Sequence, residues 1–196
     1  MVDQRFDAAI AAIDAANADD PNVLLLDGTE RPKEQAHAEL MTLWVRRLDP
    51  GVSEAQLLAA RAHHLRRWSR PRTEYPEGRA GYLRWRTALK AQHAEEVGAI
   101  LIASGYGPDV IDQVQGIIRK EHLETDPAAK THEDALCLTF LETQFDELAG
   151  RLGDDKTVDV VRKTLAKMSD RGRAEALALP LGPAQLDLVQ RALARP

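Results

Sequence analysis

Apolar residues recur along most of the chain at steps of three and four, the spacing that gathers one side of an α-helix. Residues 3–18 carry Phe6, Ile10 and Ile13 near that spacing, with Asp3 placed to cap them, and Asp19-Asp20-Pro21-Asn22 ends the run. The short apolar stretch Val23–Leu26, followed by Asp27-Gly28, is left unassigned by the pattern. A second helix is predicted from after Pro32 to about Leu48. Ser53 with Gln56 in the capping-box position opens a third, reaching roughly Trp68. Residues 69–78 read as a proline-broken basic loop. A long fourth helix follows over 79–104, closed by Gly105-Tyr106-Gly107, and Pro108 opens a fifth to about Glu121. Thr131 with Asp134 opens a sixth, to about Ala149, and Gly153-Asp154 begins a seventh, to near Met168. Shorter helical pieces fill 169–179 and 183–194. No stretch alternates with period two for long. The pattern predicts an all-α chain, a single-domain bundle of about seven to nine helices over residues 1–196, with 169–196 as a packed helical extension.

The same periodicity says which polar residues turn inward. His37 lines up with Met41, Trp44 and Leu48. His64 lines up with Leu57, Ala60 and Trp68, while its neighbour His63 falls on the polar side near Arg66 and Arg67. His93 sits between Leu89 and Val97, and Asp134 shares a stripe with Leu138, Leu141 and Phe145. Each alone has a structural explanation: a hydrogen-bonded core histidine, or a carboxylate at a helix start. Together they read as metal ligands, because one divalent ion satisfies three buried imidazoles and a carboxylate at once. Zn, Fe and Mn all suit such a set. Two weaker signals accompany it. Glu34-x-x-His37 and His93-x-x-Glu96 each place a carboxylate and an imidazole on one helix face, as in dimetal bundles, but the further Glu ligands of such bundles are missing. Glu96 is a candidate general base. His122 and His132 read as exposed at helix ends or in loops, and Cys137 and Trp44 as core.

Charge adds a second theme. The chain has a net charge of −5, yet residues 61–90 hold eight Arg and one Lys against two Glu. Clustered guanidinium groups repel one another unless counter-charges or an anion offset them. Arg outnumbers Lys where planar, bidentate recognition of phosphate or carboxylate is wanted. Arg67, Arg72 and Arg79 are the expected clamps, and Tyr75, Tyr82 or Trp85 could stack on a base. The acidic balance elsewhere argues against extended nucleic acid as a partner. No run of apolar residues is long enough for a membrane span, the N-terminus lacks signal-peptide character, and the lone Cys137 suits a reducing cytosol. A cytoplasmic location is the expectation, with oligomeric state left open.

The runs RRWSRPRTEYPEGRAGYLRWR, His93-Ala94-Glu95 and RKTLAKMSDRGRAEALALPL resemble the family known as domain of unknown function 4202, over residues 6–194. More distantly, the order His, His-containing pair, His, then Asp on successive helices is similar to the HD superfamily of metal-dependent phosphohydrolases. That likeness implies an HD-like helical architecture with His37, His64, His93 and Asp134 at the metal. The His-Asp doublet of that superfamily is absent, since His63-His64 is followed by Leu65. Either the pair replaces the doublet or the likeness is one of helical order. His63 and Glu96 are the catalytic candidates. The leading reading is an HD-like metal-dependent hydrolase acting on a small phosphorylated or otherwise anionic, nucleotide-like substrate. An iron-dependent oxygenase, a non-catalytic nucleotide- or RNA-binding module and a partner-docking protein are the rivals.

Overall fold

The computed structural model describes residues 4–26 and 28–194, so Asp3 and Asp27, read above as a cap and part of a turn, lie outside the described residues. Helix α1 (Gln4–Ala18) leads into a hairpin of β1 (Val23–Leu26) and β2 (Thr29–Pro32), then α2 (Lys33–Leu48) and α3 (Glu54–Arg61). Two 3₁₀ turns, Arg67–Ser69 and Arg72–Glu74, precede α4 (Gly78–Ala103) and α5 (Pro108–Arg119). Then come α6 (Pro127–Thr143), α7 (Phe145–Leu152), α8 (Asp154–Lys167), α9 (Asp170–Leu177) and α10 (Pro183–Ala194). The protein is all-α. The unassigned apolar stretch is the first strand of the hairpin, with Leu26 opposite Thr29 and Gly28 at φ +76°, a turn value glycine adopts freely. The sixth predicted helix breaks at Gln144 (φ −127°, ψ 0°), which divides it into α6 and α7.

Two apolar clusters hold the helices together. One joins α2, α6, α7, α8, α9 and α10 through Met41, Trp44, Leu138, Phe145, Val161 and Leu188 among others. The other joins α1, α3, α4 and α5 through Ile13, Leu58, Val97, Leu101, Val114 and Ile118. Burying such side chains removes apolar surface from water and fixes how the helices face one another.

Local capping explains most boundaries. Ser53 and Gln56 form the expected capping box at α3, with Gln56 N–H donating to Ser53 Oγ at 3.2 Å and Ser53 N–H to Gln56 Oε1 at 3.0 Å. Helix α6 starts earlier than Thr131, because Asp126 accepts the Ala128 N–H at 2.9 Å and Pro127 occupies the first helical position, where its missing N–H costs nothing. Helix α3 ends at Arg61, seven residues short of the expected Trp68. The chain then turns tightly, and Arg66 adopts a left-handed conformation (φ +48°) whose N–H donates to the buried Oδ1 of Asn17 at 3.0 Å. This early end decides where the two adjacent histidines point.

Candidate metal centre

The site begins at the start of α2. Asp20, in the loop after α1, accepts the Glu34 backbone N–H at 2.9 Å, which satisfies one of the free amides of the helix start and anchors that turn. Glu34 is buried, and its Oε2 faces two imidazoles: Nδ1 of His37 at 3.2 Å and Nδ1 of His64 at 2.9 Å. One ligand atom from each of Glu34, His37 and His64 lies within 4.8 Å of the other two, so the group could hold a metal ion. A carboxylate with two imidazoles is the donor set of zinc and mononuclear iron sites that keep positions open for water or substrate. The set fits a divalent cation in a second respect. Burial, then the nearby Arg67, push His64 well below the usual imidazole value, so the ring is neutral and keeps a lone pair.

The far edges of both rings have close neighbours. His37 Nε2 lies 3.2 Å from Thr143 Oγ1, whose own hydroxyl donates to the Thr139 carbonyl at 2.7 Å and so leaves the oxygen free to accept. Arg67 Nη1 lies 3.4 Å from His64 Nε2, its Nε lies 3.8 Å from Glu34 Oε1, and its guanidinium stacks 4.8 Å above the Trp85 ring. Thr143 Oγ1 accepts the His37 Nε2–H, a contact of the kind that fixes the orientation of a ligand ring.

The other histidines extend the polar seam. His63 Nδ1 lies 2.7 Å from His132 Nε2. The rings of His37, His64, His63 and His132 thus form a file, with successive centroid separations of 6.2, 4.4 and 4.7 Å. His93, 6.0 Å from His64, donates its Nδ1–H to the Leu65 carbonyl at 2.8 Å, and its buried Nε2 has no hydrogen-bond partner. Burial lowers all three: His63 well below its ordinary value, His93 to about 4 and His132 to about 3.

Four expectations are corrected here. His63, expected on the polar side, is buried, while the His64 side chain is the more accessible of the pair at 17%. The helical spacing used for both stops at Arg61. His132, expected to be exposed, is buried, because α6 begins at Pro127 and carries it inward within the second turn. Asp134 lies apart from the triad: its carboxylate accepts the Ser169 N–H at 2.8 Å and hydroxyl at 2.5 Å, and it packs against Gly172 at the start of α9. Glu96 is also elsewhere, accepting from Gln92 at 2.9 Å and facing Arg66 at 3.9 Å further along α4, outside the cleft lining.

Glu34, His37 and His64 open onto a cleft of about 620 Å³. Lys33, Arg67, Arg86, Lys120 and Lys167 also line it, together with Trp68, Tyr82, Trp85 and Phe140. Of the expected anion clamps, Arg67 is on the wall. Arg72 instead staples its own loop by donating to the carbonyls of Tyr75 and Pro76, each at 2.8 Å, and Arg79 is exposed on the first turn of α4, away from the wall. Tyr82 and Trp85 line the cleft, whereas the Tyr75 hydroxyl accepts from Arg70 at 2.9 Å. A second, smaller pocket of about 20 Å³, room for one water, is lined by His63, His64, His93, Arg86, Lys90 and Lys120 among others. Sequence reasoning left Glu34 out of the ligand set although the Glu-x-x-His spacing pointed to it. Lys120 and Lys167 carried no local signal.

Among known proteins, the family model described as Domain of unknown function (DUF4202) matches residues 7–189. No curated protein and no solved structure matches the chain. No described helix is long and apolar enough to cross a membrane.

Proposed function

The chain belongs to the DUF4202 family, a description that names no activity, and from that premise we propose that it is a metal-dependent hydrolase acting on a small phosphorylated, nucleotide-like substrate. The observation that carries the reading is the convergence of Glu34, His37 and His64 donor atoms within 4.8 Å on the wall of a cation-lined cleft. Glu34, His37 and His64 would hold a divalent ion, which would supply an acidified water and polarise the scissile group. The residues of the chain do the rest. Glu34 and the two imidazoles present the donors, Thr143 keeps the His37 ring in place, and Arg67 and Lys33 bring positive charge to the phosphoryl oxygens. Trp85 and Tyr82 offer an aromatic face for a base. The HD-like architecture remains part of this proposal and rests on helical order alone.

One rival keeps a specific support: two histidines and one carboxylate are also the iron ligands of mononuclear oxygenases. The deciding experiment is elemental analysis of tag-free protein after supplementation with Zn, Mn or Fe, followed by turnover assays on nucleotides with and without dioxygen. Near-stoichiometric metal and oxygen-independent release of phosphate are the expected results. Metal below about a tenth of an equivalent removes the hydrolase and the oxygenase together. Oxygen-dependent turnover selects the oxygenase.

A further inference from the structure

Resting on the hydrolase reading, we infer that the phosphorylated group in the cleft is the end of a single-stranded oligonucleotide, whose chain leaves along α4 over Tyr82 and Arg79. The basis is which arginines of the basic segment are already engaged. Arg61, Arg66 and Arg67 are ion-paired within the protein, and Arg70 and Arg72 donate to neighbouring oxygen atoms. Arg79, Arg84 and Arg86 have no hydrogen bond or ion pair among the described residues, and all three lie in the first three turns of α4. Glu74 and Glu77, the two acidic residues of the segment, are exposed and make no ion pair among the described residues either. The protein's own carboxylates therefore do not account for this end of the helix.

Spacing gives the free cations a direction. Arg79, Tyr82 and Arg86, at steps of three and four, share one face of α4. Arg86 belongs to the triad site, since it lines both the cleft and the smaller pocket that His64 also lines. Tyr82 lines the cleft and is 44% exposed, and Arg79, one turn further out, is exposed and outside the cleft lining. The face thus runs outward from the candidate metal centre as cation, aromatic ring, cation, over about 10 Å of helix axis. A nucleic-acid strand alternates phosphates with flat bases, and proteins that hold single strands meet it with the same two kinds of side chain. A mononucleotide seated at Arg86 and Tyr82 leaves Arg79 without an anion, whereas the next phosphate of a strand supplies one. The rest of the chain carries all of the acidic excess, which confines contact to a strand end and disfavours a long duplex.

The test is fluorescence anisotropy on chelator-treated, tag-free full-length protein. The probes are adenosine hexanucleotides with one terminal phosphate, at the 5′ end in one and the 3′ end in the other, and a fluorophore at the opposite end. The better probe should bind about tenfold more tightly than adenosine 5′-monophosphate, read by competition. Arg79→Gln should weaken that probe about fivefold and reduce the slope of log affinity against log salt by about 0.7, with adenosine 5′-monophosphate binding unchanged. Arg84→Gln removes the same charge from another face of α4 and should leave both affinities as they are. Equal losses in the two variants, a hexanucleotide no tighter than the mononucleotide, or labelled polyglutamate bound as tightly as the hexanucleotide each overturns the inference. Zinc uptake is measured on the same preparations. Absent hexanucleotide binding with zinc taken up overturns the strand contact alone, and absent uptake with the hexanucleotide bound overturns the hydrolase reading alone.

Discussion

Nδ1 of His64 stands 2.9 Å from Oε2 of Glu34, although thirty residues separate them. The same carboxylate oxygen faces His37, so removing Glu34 deprives both rings of their common partner. Glu34→Gln keeps the shape and removes the charge. Zinc affinity, measured by competition with a chromophoric chelator, should fall by more than about 100-fold, the upper end for losing an outer partner of a ligand. Wild-type affinity in that variant would refute the triad.

Asp134 is expected to be structural. Asp134→Ala leaves the Ser169 N–H and hydroxyl at the start of α9 without their acceptor, a loss of about 1–3 kcal/mol. Urea denaturation should show that loss while zinc content stays at the wild-type value. A variant that keeps its stability and loses its metal would place Asp134 at the ion after all.

Acid should destabilise the fold through His132. Its ring, held to about 3 by burial and then by Lys120, stays neutral in the folded protein, whereas the unfolded chain takes up a proton near pH 6.5. Between those values the unfolded state binds more protons, so stability falls as pH falls, by about 1.4 kcal/mol per pH unit for this group. Urea melts at pH 7.5, 6 and 5 should show the decline. His132→Gln should lower the slope by about one proton.

Cys137 lines the cleft but is a poor nucleophile. Burial, then Glu133, push its thiol up to about 12, so almost no thiolate exists at neutral pH. Iodoacetamide at pH 8 should label the native protein slowly and the urea-unfolded protein at the rate of a free thiol. Rapid native labelling would contradict this placement.

At Gly81 the basic loop lies close against α4. A Cβ there would meet the Pro76 carbonyl oxygen at 1.8 Å, so the loop stapled by Arg72 must move. Gly81→Ala should destabilise by about 1–3 kcal/mol and alter the emission of Trp85, whose Nε1–H donates to the Arg70 carbonyl at 2.9 Å.

The helices were legible because their signals are local: the Ser53/Gln56 box at α3, Pro108 at α5, and the His93 stripe between Leu89 and Val97, all three buried as the spacing predicts. His37 was legible for the same reason. His64 joins the group that could hold a metal, as expected, but His63 was misjudged because its orientation depends on a left-handed Arg66 held by Asn17, forty-nine residues away from Arg66, and no periodicity encodes that contact. Asp134 showed the right spacing for an inward residue but not its partner, since Ser169 approaches from another helix. The charge count located a cationic region in the sequence, while the cleft wall draws on Lys33, Lys120 and Lys167 from outside that window.

Helix α6 touches the file of imidazoles at both ends, through His132 on His63 and Thr143 on His37. Those two positions are eleven residues apart, and at about 3.6 residues per turn they fall just over three full turns from one another, on the same side of the helix. Inserting one residue between them would swing one about 100° past the other, and no rotation of the rod could bring both back into register. The length of this segment therefore acts as a gauge: substitutions along its outer side are tolerable, whereas an added or missing residue disconnects one end of the seam.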